Sequence, residues 1–165
     1  MGTTGDQLDK WCVQNGVRGW KGVYTSDQLP TLWRPKDWCA VLNHSPSTSP
    51  TGGTHWLGVR INGSTATFFD SYALPPTNNF EDALMGAPTD AKPHFQDWLD
   101  RCGVTSVQSN HRRLQQLTSA VCGQYSVWYC KWGLPANDPP HWSWVTNDFK
   151  QNDRIIKSLV KLSHV

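Results

Sequence analysis

No apolar run in the 165 residues approaches the roughly 18 needed for a membrane-spanning helix, so the sequence predicts no membrane segment. The first residues, Met1-Gly2-Thr3-Thr4-Gly5-Asp6, lack the charged region and apolar stretch of a signal peptide. Asp6 stands where a myristoylation signal requires Ser or Thr. Both readings lead to the expectation of a protein made and used inside a cell. No pair of cysteines has CxxC spacing: the five, Cys12, Cys39, Cys102, Cys122 and Cys130, are 27, 63, 20 and 8 residues apart. A structural zinc site is not expected from such spacing, and an odd count argues against a closed disulfide framework. Charge is also scarce. Only 17% of residues are charged and the formal net charge is +2, which neither demands nor excludes a nucleic-acid partner. The one tight basic cluster is His111-Arg112-Arg113, open to reading as a solvated loop or as a phosphate contact.

What the chain has in excess is tryptophan. Ten such side chains require a packed interior or an aromatic-lined groove, and 38% hydrophobic residues exclude a disordered chain. The length predicts one domain over residues 1–165, with no repeat or linker to split it.

Along the chain, Thr4-Gly5-Asp6-Gln7 has the form of a capping box, and Leu8, Trp11 and Cys12 give the following helix one apolar face up to Asn15-Gly16. Trp38 to Leu42 reads as a buried strand, and Ser45 to Gly53 as an exposed loop. His55 to Asp70 alternates around Asn62-Gly63, a strong hairpin signal. Pro75 to Ala91 is rich in turn residues. Pro93 to Arg101 reads as a helix with Phe95, Trp98, Leu99 and Cys102 on one side, and Gly103 to Val107 as a short strand. Ser119 suits the cap of a helix running to about Trp132, with Val121, Tyr125, Trp128, Tyr129 and Trp132 as its core stripe and Gly133 and Pro135 as its stop. One or two helices follow from Trp142, the last carrying Ile155, Ile156, Leu159 and Leu162. Strands in the middle and helices at both ends predict an α+β domain, a central mixed sheet with helices on both sides.

The chemistry begins at the hairpin. A two-residue turn at Asn62-Gly63 places Ile61 opposite Ser64, and counting back along both strands puts His55 opposite Asp70. Directly opposed side chains have Cβ atoms roughly 4.5–5.5 Å apart, close enough for a carboxylate to hold an imidazole in one tautomer. Cys122, with Ser119 as cap, takes the third position of a helix, where the partial positive charge favours a thiolate. Gly123 after it leaves room for a substrate backbone to approach. A glutamine upstream, Gln115 or Gln116, has the reach to donate to a developing oxyanion, with the Cys122 backbone N–H as second donor. His, Asp, Gln and a Cys at a helix start are the parts of a Cys–His acyl-transfer site.

These segments resemble the adenovirus endopeptidase (adenain) family and, more distantly, the SUMO-specific proteases. Cys39-Ala40-Val41-Leu42-Asn43 is similar to the strand before the family's catalytic His. Gly52-Gly53-Thr54-His55-Trp56 resembles its Gly-Gly-x-His-Trp motif, Phe68-Phe69-Asp70 the strand ending in the acidic triad member, and Ser119-Ala120-Val121-Cys122-Gly123 the nucleophile motif. Met1-Gly2 and the spacing of the first helix are similar too, and the likeness fades beyond Trp132.

The resemblance implies a papain-like cysteine endopeptidase in which Cys122 attacks the scissile carbonyl, His55 exchanges the proton, Asp70 orients His55, a glutamine binds the oxyanion and Trp56 packs beside the base. Adenain spacing selects Gln115 and SUMO-protease spacing Gln116; the ungapped match at Ser119-Ala120 favours Gln115. Asp70 is an Asp, as in SUMO proteases, where adenain of mammalian viruses has Glu. By the same resemblance the chain works as a monomer on viral precursor polypeptides in the host nucleus and virion, with no metal or organic cofactor. Asp100-Arg101-Cys102 resembles the place where adenain holds an activating viral peptide by a disulfide, against which stands a buried Cys102 closing the Phe95–Trp98–Leu99 face. The family also uses DNA as a cofactor and is strongly basic; at +2 this chain is much less so, and only phosphate attraction through Arg112 and Arg113 carries over. A ubiquitin-like-protein isopeptidase and a non-catalytic binding module on the same fold are the competing readings.

Overall fold

The computed structural model describes residues 3–45, 47, 55–76, 95–117 and 119–163. Within them a helix, α1 (Gly5–Gln14), precedes strands β1 (Trp20–Thr25), β2 (Trp38–Asn43), β3 (Trp56–Asn62) and β4 (Thr65–Phe69). Helix α2 (Phe95–Arg101), strand β5 (Ser106–Ser109), helix α3 (Cys122–Trp132), a 3₁₀ turn (Pro139–Trp142) and helix α4 (Phe149–Leu159) follow among the described residues. The strands lie side by side in chain order. The outer pairs β1/β2 and β4/β5 are parallel and the inner pairs antiparallel, so the sheet is mixed and the fold α+β, as expected.

Alternation along the strands sorts the side chains into two cores. Cys39, Val41, Trp56 and Phe69 face α1, α3 and α4, where Leu8, Cys12, Tyr125, Tyr129 and Ile156 meet them. Trp38, Ala40, Leu42, Leu57, Val59, Ile61 and Phe68 face the other way, onto Phe95, Trp98 and Leu99 of α2. Helices therefore cover both faces. Gly58 sets how close α3 comes: a Cβ there would fall inside the Tyr129 ring. Several tryptophans serve the interior with their ring N–H groups tied to carbonyls, Trp98 to Pro30 at 2.9 Å, Trp128 to His141 at 2.9 Å and Trp142 to Gly133 at 3.0 Å, while Trp33 is exposed.

Several boundaries follow the sequence closely. Thr4 caps α1 in a complete capping box with Gln7, and Asn15 ends the helix. On α3, Tyr125 and Tyr129 are buried as the stripe predicts, while Trp128 and Trp132 are half-buried. The fifth strand begins at Ser106 rather than Gly103. Strand β1 is a feature the sequence reading passed over; its residues are only half-buried and carry little alternation. Met1-Gly2, Pro93, the Gly52-Gly53-Thr54 part of the motif and most of the Ser45–Gly53 and Pro75–Ala91 segments lie outside the described residues.

Two local expectations are corrected. The hairpin turn is Gly63-Ser64, not Asn62-Gly63: Asn62 still pairs with Thr65, and Ile61 faces Ala66 rather than Ser64. Gly63 takes φ +65° as the first turn residue, while Asn62, which an Asn-Gly turn would also make left-handed, stays in the strand. Helix α3 starts at Cys122 with Val121 as its cap residue and no side-chain capping bond. Ser119 does not cap it; its hydroxyl donates to the Gln116 carbonyl at 2.9 Å. Cys122 is thus the first helical residue rather than the third.

Candidate active site

The shifted turn moves each β4 partner two positions along. Continued past the paired residues, the register sets Tyr72, not Asp70, across from His55. Because side chains alternate with period two, a slip of two keeps Asp70 on the same face as His55, as a diagonal neighbour. The contact survives: His55 Nε2 lies 2.9 Å from Asp70 Oδ1. Both side chains are almost fully buried, His55 at 2% and Asp70 at 1% exposure. Tyr72 fills the opposed position with its ring, stacked on the imidazole at 4.8 Å and 20°.

Asp70 is held from several directions. Its Oδ1 also accepts from the backbone N–H of Tyr72 at 2.8 Å. Asn110, just after β5, grips the backbone of the same residue: Asp70 N–H donates to Asn110 Oδ1 at 3.1 Å, and Asn110 Nδ2 donates to the Asp70 carbonyl at 2.7 Å. Only one orientation of the amide satisfies both bonds. Sequence reasoning missed Asn110 and Tyr72, since neither belongs to a local pattern; both are brought in by strand ends.

Cys122 arrives from the other core. Its sulfur accepts from the Trp56 backbone N–H at 3.4 Å, one residue beyond His55. The same sulfur neighbours the His55 ring closely enough to act on its charge. With Nε2 committed to Asp70, the nitrogen left for sulfur is Nδ1. Burial alone would lower the His55 pKa; the facing Asp70 carboxylate and the Cys122 sulfur outweigh it and hold the imidazolium well above its ordinary range. As first residue of α3, Cys122 has a backbone N–H without an intrahelical acceptor, and so does Gly123 after it. Ser126 Oγ ties the pieces together, 2.8 Å from the Cys122 carbonyl and 3.2 Å from that of Trp56. Trp56 packs over the start of α3 and its ring N–H donates to the Thr3 carbonyl at 3.2 Å. Gly123 serves packing rather than substrate access: a Cβ there would meet Leu8 and Trp56 at 3.1–3.3 Å.

The two glutamines part company. Gln115 is fully buried; its Oε1 accepts from Ser71 Oγ, and its Nε2 donates to the Ser119 carbonyl at 2.9 Å and hydroxyl at 3.0 Å. It thereby fixes the segment that runs into Cys122, and its amide reaches an oxyanion only by releasing Ser119. Gln116 is exposed, and its backbone N–H donates to Asp153 Oδ2 at 3.3 Å.

Cys102 does not present an exposed thiol. It is 1% exposed, packed with Phe95, Trp98 and Leu99, so the closing of that apolar face accounts for it and a disulfide to an activating peptide has no surface sulfur to use. Arg112 donates to Asn147 at 2.9 Å, and Arg113 donates to the Gln115 carbonyl at 2.8 Å while lying over the Phe149 ring, so both arginines of the basic cluster have partners within the chain. Among the described residues no group of three or more His, Cys, Asp or Glu is placed to hold a metal ion.

No family model matches the chain, and no curated protein does. Among solved structures it is similar to the ASFV pS273R protease, at 14% identity and TM-score 0.45 over 96% of this chain and 66% of that one. It is also similar to ChlaDub1 from Chlamydia trachomatis, at 17% identity and TM-score 0.43 over 94% and 73%, and to the Legionella pneumophila effector RavZ, at 13% and 0.37 over 96% and 46%. The chain thus spans about two thirds of the first of these. At such identities the functional reading stands on the site's own geometry.

Proposed function

We propose that the chain is a cysteine peptidase with Cys122 as nucleophile, His55 as its base and acid, and Asp70 as the group that orients His55. The observation that carries this reading is the buried line Cys122–His55–Asp70 at the head of α3. His55 takes the thiol proton at Nδ1, leaving a thiolate stabilised by the Trp56 N–H and the helix start. The sulfur bonds to the scissile carbonyl carbon, and the carbonyl oxygen becomes an oxyanion facing the free N–H groups of the first helical turn. The C–N bond then breaks, His55 gives its proton to the leaving amine, and a thioester remains. Water, deprotonated by His55, hydrolyses the thioester and restores the thiol. Gln115 acts in this scheme by holding the Ser119–Val121 segment.

Within this class we read the chain as a viral endopeptidase acting on precursor polypeptides in the infected nucleus and the virion. The supporting observation is the order and form of the His, Asp and Cys motifs. Asp70, the acidic member of SUMO-type proteases, favours a second reading as a ubiquitin-like-protein isopeptidase. One experiment addresses both: cleavage of Gly-containing precursor peptides and of a ubiquitin-like conjugate by the wild-type chain and by Cys122→Ala. The wild type is expected to cut one class and Cys122→Ala neither. Equal cutting by Cys122→Ala removes the nucleophile assignment.

A further inference from the structure

A recess of about 610 Å³ opens beside the segment that delivers the nucleophile, within the roughly 300–1,000 Å³ typical of ligand pockets. Ser119, Ala120 and Val121, the three residues before Cys122, line one wall; Lys150, Arg154 and Lys157 of α4 line the other. The three cations are spaced i, i+4, i+7, so they project from one face of the helix. All three are exposed, and none has an ion-pair partner among the described residues. Asp153 is the carboxylate on this wall, and it is already engaged: Oδ1 accepts from the Tyr125 hydroxyl at 2.7 Å and Oδ2 from the Gln116 N–H. Three free cations against one committed carboxylate leave the recess net positive.

From this charge and its place we propose that the recess is a specificity subsite, in which Lys150, Arg154 and Lys157 receive acidic side chains of the polypeptide cut at Cys122. The proposal rests on the peptidase reading above. Its position supplies the argument for a peptide occupant. The recess begins at Val121, one residue before the sulfur, so a bound polypeptide that continues past Ser119–Val121 on this side brings its next side chains to the recess. A nucleic-acid backbone is less well matched. It calls for a basic stripe longer than these three side chains, and the arginines of the chain's other basic cluster, Arg112 and Arg113, are tied to Asn147, Gln115 and Phe149. The buried face of α4, formed by Asn152, Asp153 and Ile156, does not include the three cations, so they can be altered without touching the core.

Two measurements on the full chain test this. The first is fluorescence anisotropy of a labelled hexaglutamate peptide with Cys122→Ser, which cannot turn over. Binding that weakens with added salt is expected. It should fall about tenfold when Lys150→Gln, Arg154→Gln and Lys157→Gln are combined, since three exposed charge contacts are each worth little alone. The combined Glu variants should abolish it. The second is the sequence profile around cuts made in a mixed peptide library, where the ratio of acidic to neutral windows should exceed unity and drop about tenfold in the Gln variant. Absent hexaglutamate binding, or binding unchanged in both folded triple variants, overturns the subsite. So does an oligo(dT) probe that binds more tightly through the same three side chains. Hexaglutamate binding without cleavage of any library member sinks the peptidase reading and leaves the acidic-peptide site standing.

Discussion

Replacing Asn110 by alanine removes two bonds at once from a residue that sequence reasoning did not single out. Asp70 N–H and C=O, both in a residue 1% exposed, would lose Asn110 Oδ1 at 3.1 Å and Nδ2 at 2.7 Å. A buried backbone group left without a partner costs about 1–3 kcal/mol, so the pair should cost about 2–4 kcal/mol after some relaxation. For a domain of this size that is a fall of roughly 4–16 °C in Tm. The catalytic effect is separate. The Asp70 carboxylate is aimed at His55 by its own backbone, and a misplacement near 1 Å costs up to about 10² in rate. The expected kcat/KM of Asn110→Ala is therefore about 10–100-fold down at a temperature where the variant is fully folded. Asn110→Asp keeps an acceptor for the Asp70 N–H but sets a buried carboxylate oxygen against the Asp70 carbonyl, and should do no better than alanine. Peptide hydrolysis assays and thermal melts by circular dichroism read both effects. A variant with kcat/KM within about twofold of wild type and an unchanged Tm would refute the idea that this clamp sets the carboxylate.

Two further outcomes follow from the same geometry. Because Asp70 and Cys122 hold the His55 imidazolium well above its ordinary range, the alkaline limb of the kcat/KM profile should lie above about pH 6.5, and Asp70→Asn should bring it down. The stability sign follows too: a raised folded-state pKa stabilises fully below the unfolded value and is lost as pH rises through the folded one, so the advantage of wild type over His55→Gln should shrink from neutral to alkaline pH in denaturant titrations. Gln115→Ala leaves the Ser119 carbonyl and Ser71 hydroxyl without their partner and should lower both Tm and kcat. Gln116→Ala, whose side chain is exposed, should stay within about twofold, and a larger loss there than in Gln115→Ala would reverse the two assignments.

The capping box at Thr4, the apolar strand β2 and the stripe on α3 were legible because each is a local pattern whose period matches its element. The His55–Asp70 contact was legible for a weaker reason. The turn was misplaced by one residue, which moves partners by two and leaves faces unchanged; a slip of one partner position would have put Asp70 on the wrong side of the sheet. The start of α3 was misread because Ser119 is a good cap in sequence, yet its hydroxyl is spent on Gln116 and its carbonyl on Gln115. Tertiary bonds won over local preference there, and Cys122 ended nearer the helix terminus. Asn110, Tyr72 and the Trp56 N–H could not be read out, since each joins the site through register between segments far apart in the chain.

The five thiols supply the sharpest discrimination between an active and a merely buried cysteine. All five are free, and exposure alone barely separates them: 8% for Cys122, against 1% or less for Cys12, Cys39, Cys102 and Cys130. Chemistry separates three of the other four further, while the Cys39 thiol is drawn below its ordinary range, a Cys130 hydrogen bond and Arg60 outweighing burial, but is sealed at 0% exposure. Burial pushes the thiols of Cys12, Cys102 and Cys130 up, towards a protonated and unreactive form. Cys122 instead sits at a helix start, against a backbone N–H and the imidazole whose pKa Asp70 and the Cys122 sulfur raise in spite of burial. Iodoacetamide at neutral pH should therefore add once to the folded chain, at Cys122, and intact mass with peptide mapping reads the site. His55→Ala should slow that single addition, because the thiolate loses its counter-ion, while adding urea should expose all five sulfurs equally. If Cys102 or Cys130 is modified before Cys122 in the folded chain, the sulfur at the head of α3 is not an activated nucleophile, whatever the distance from His55 to Asp70.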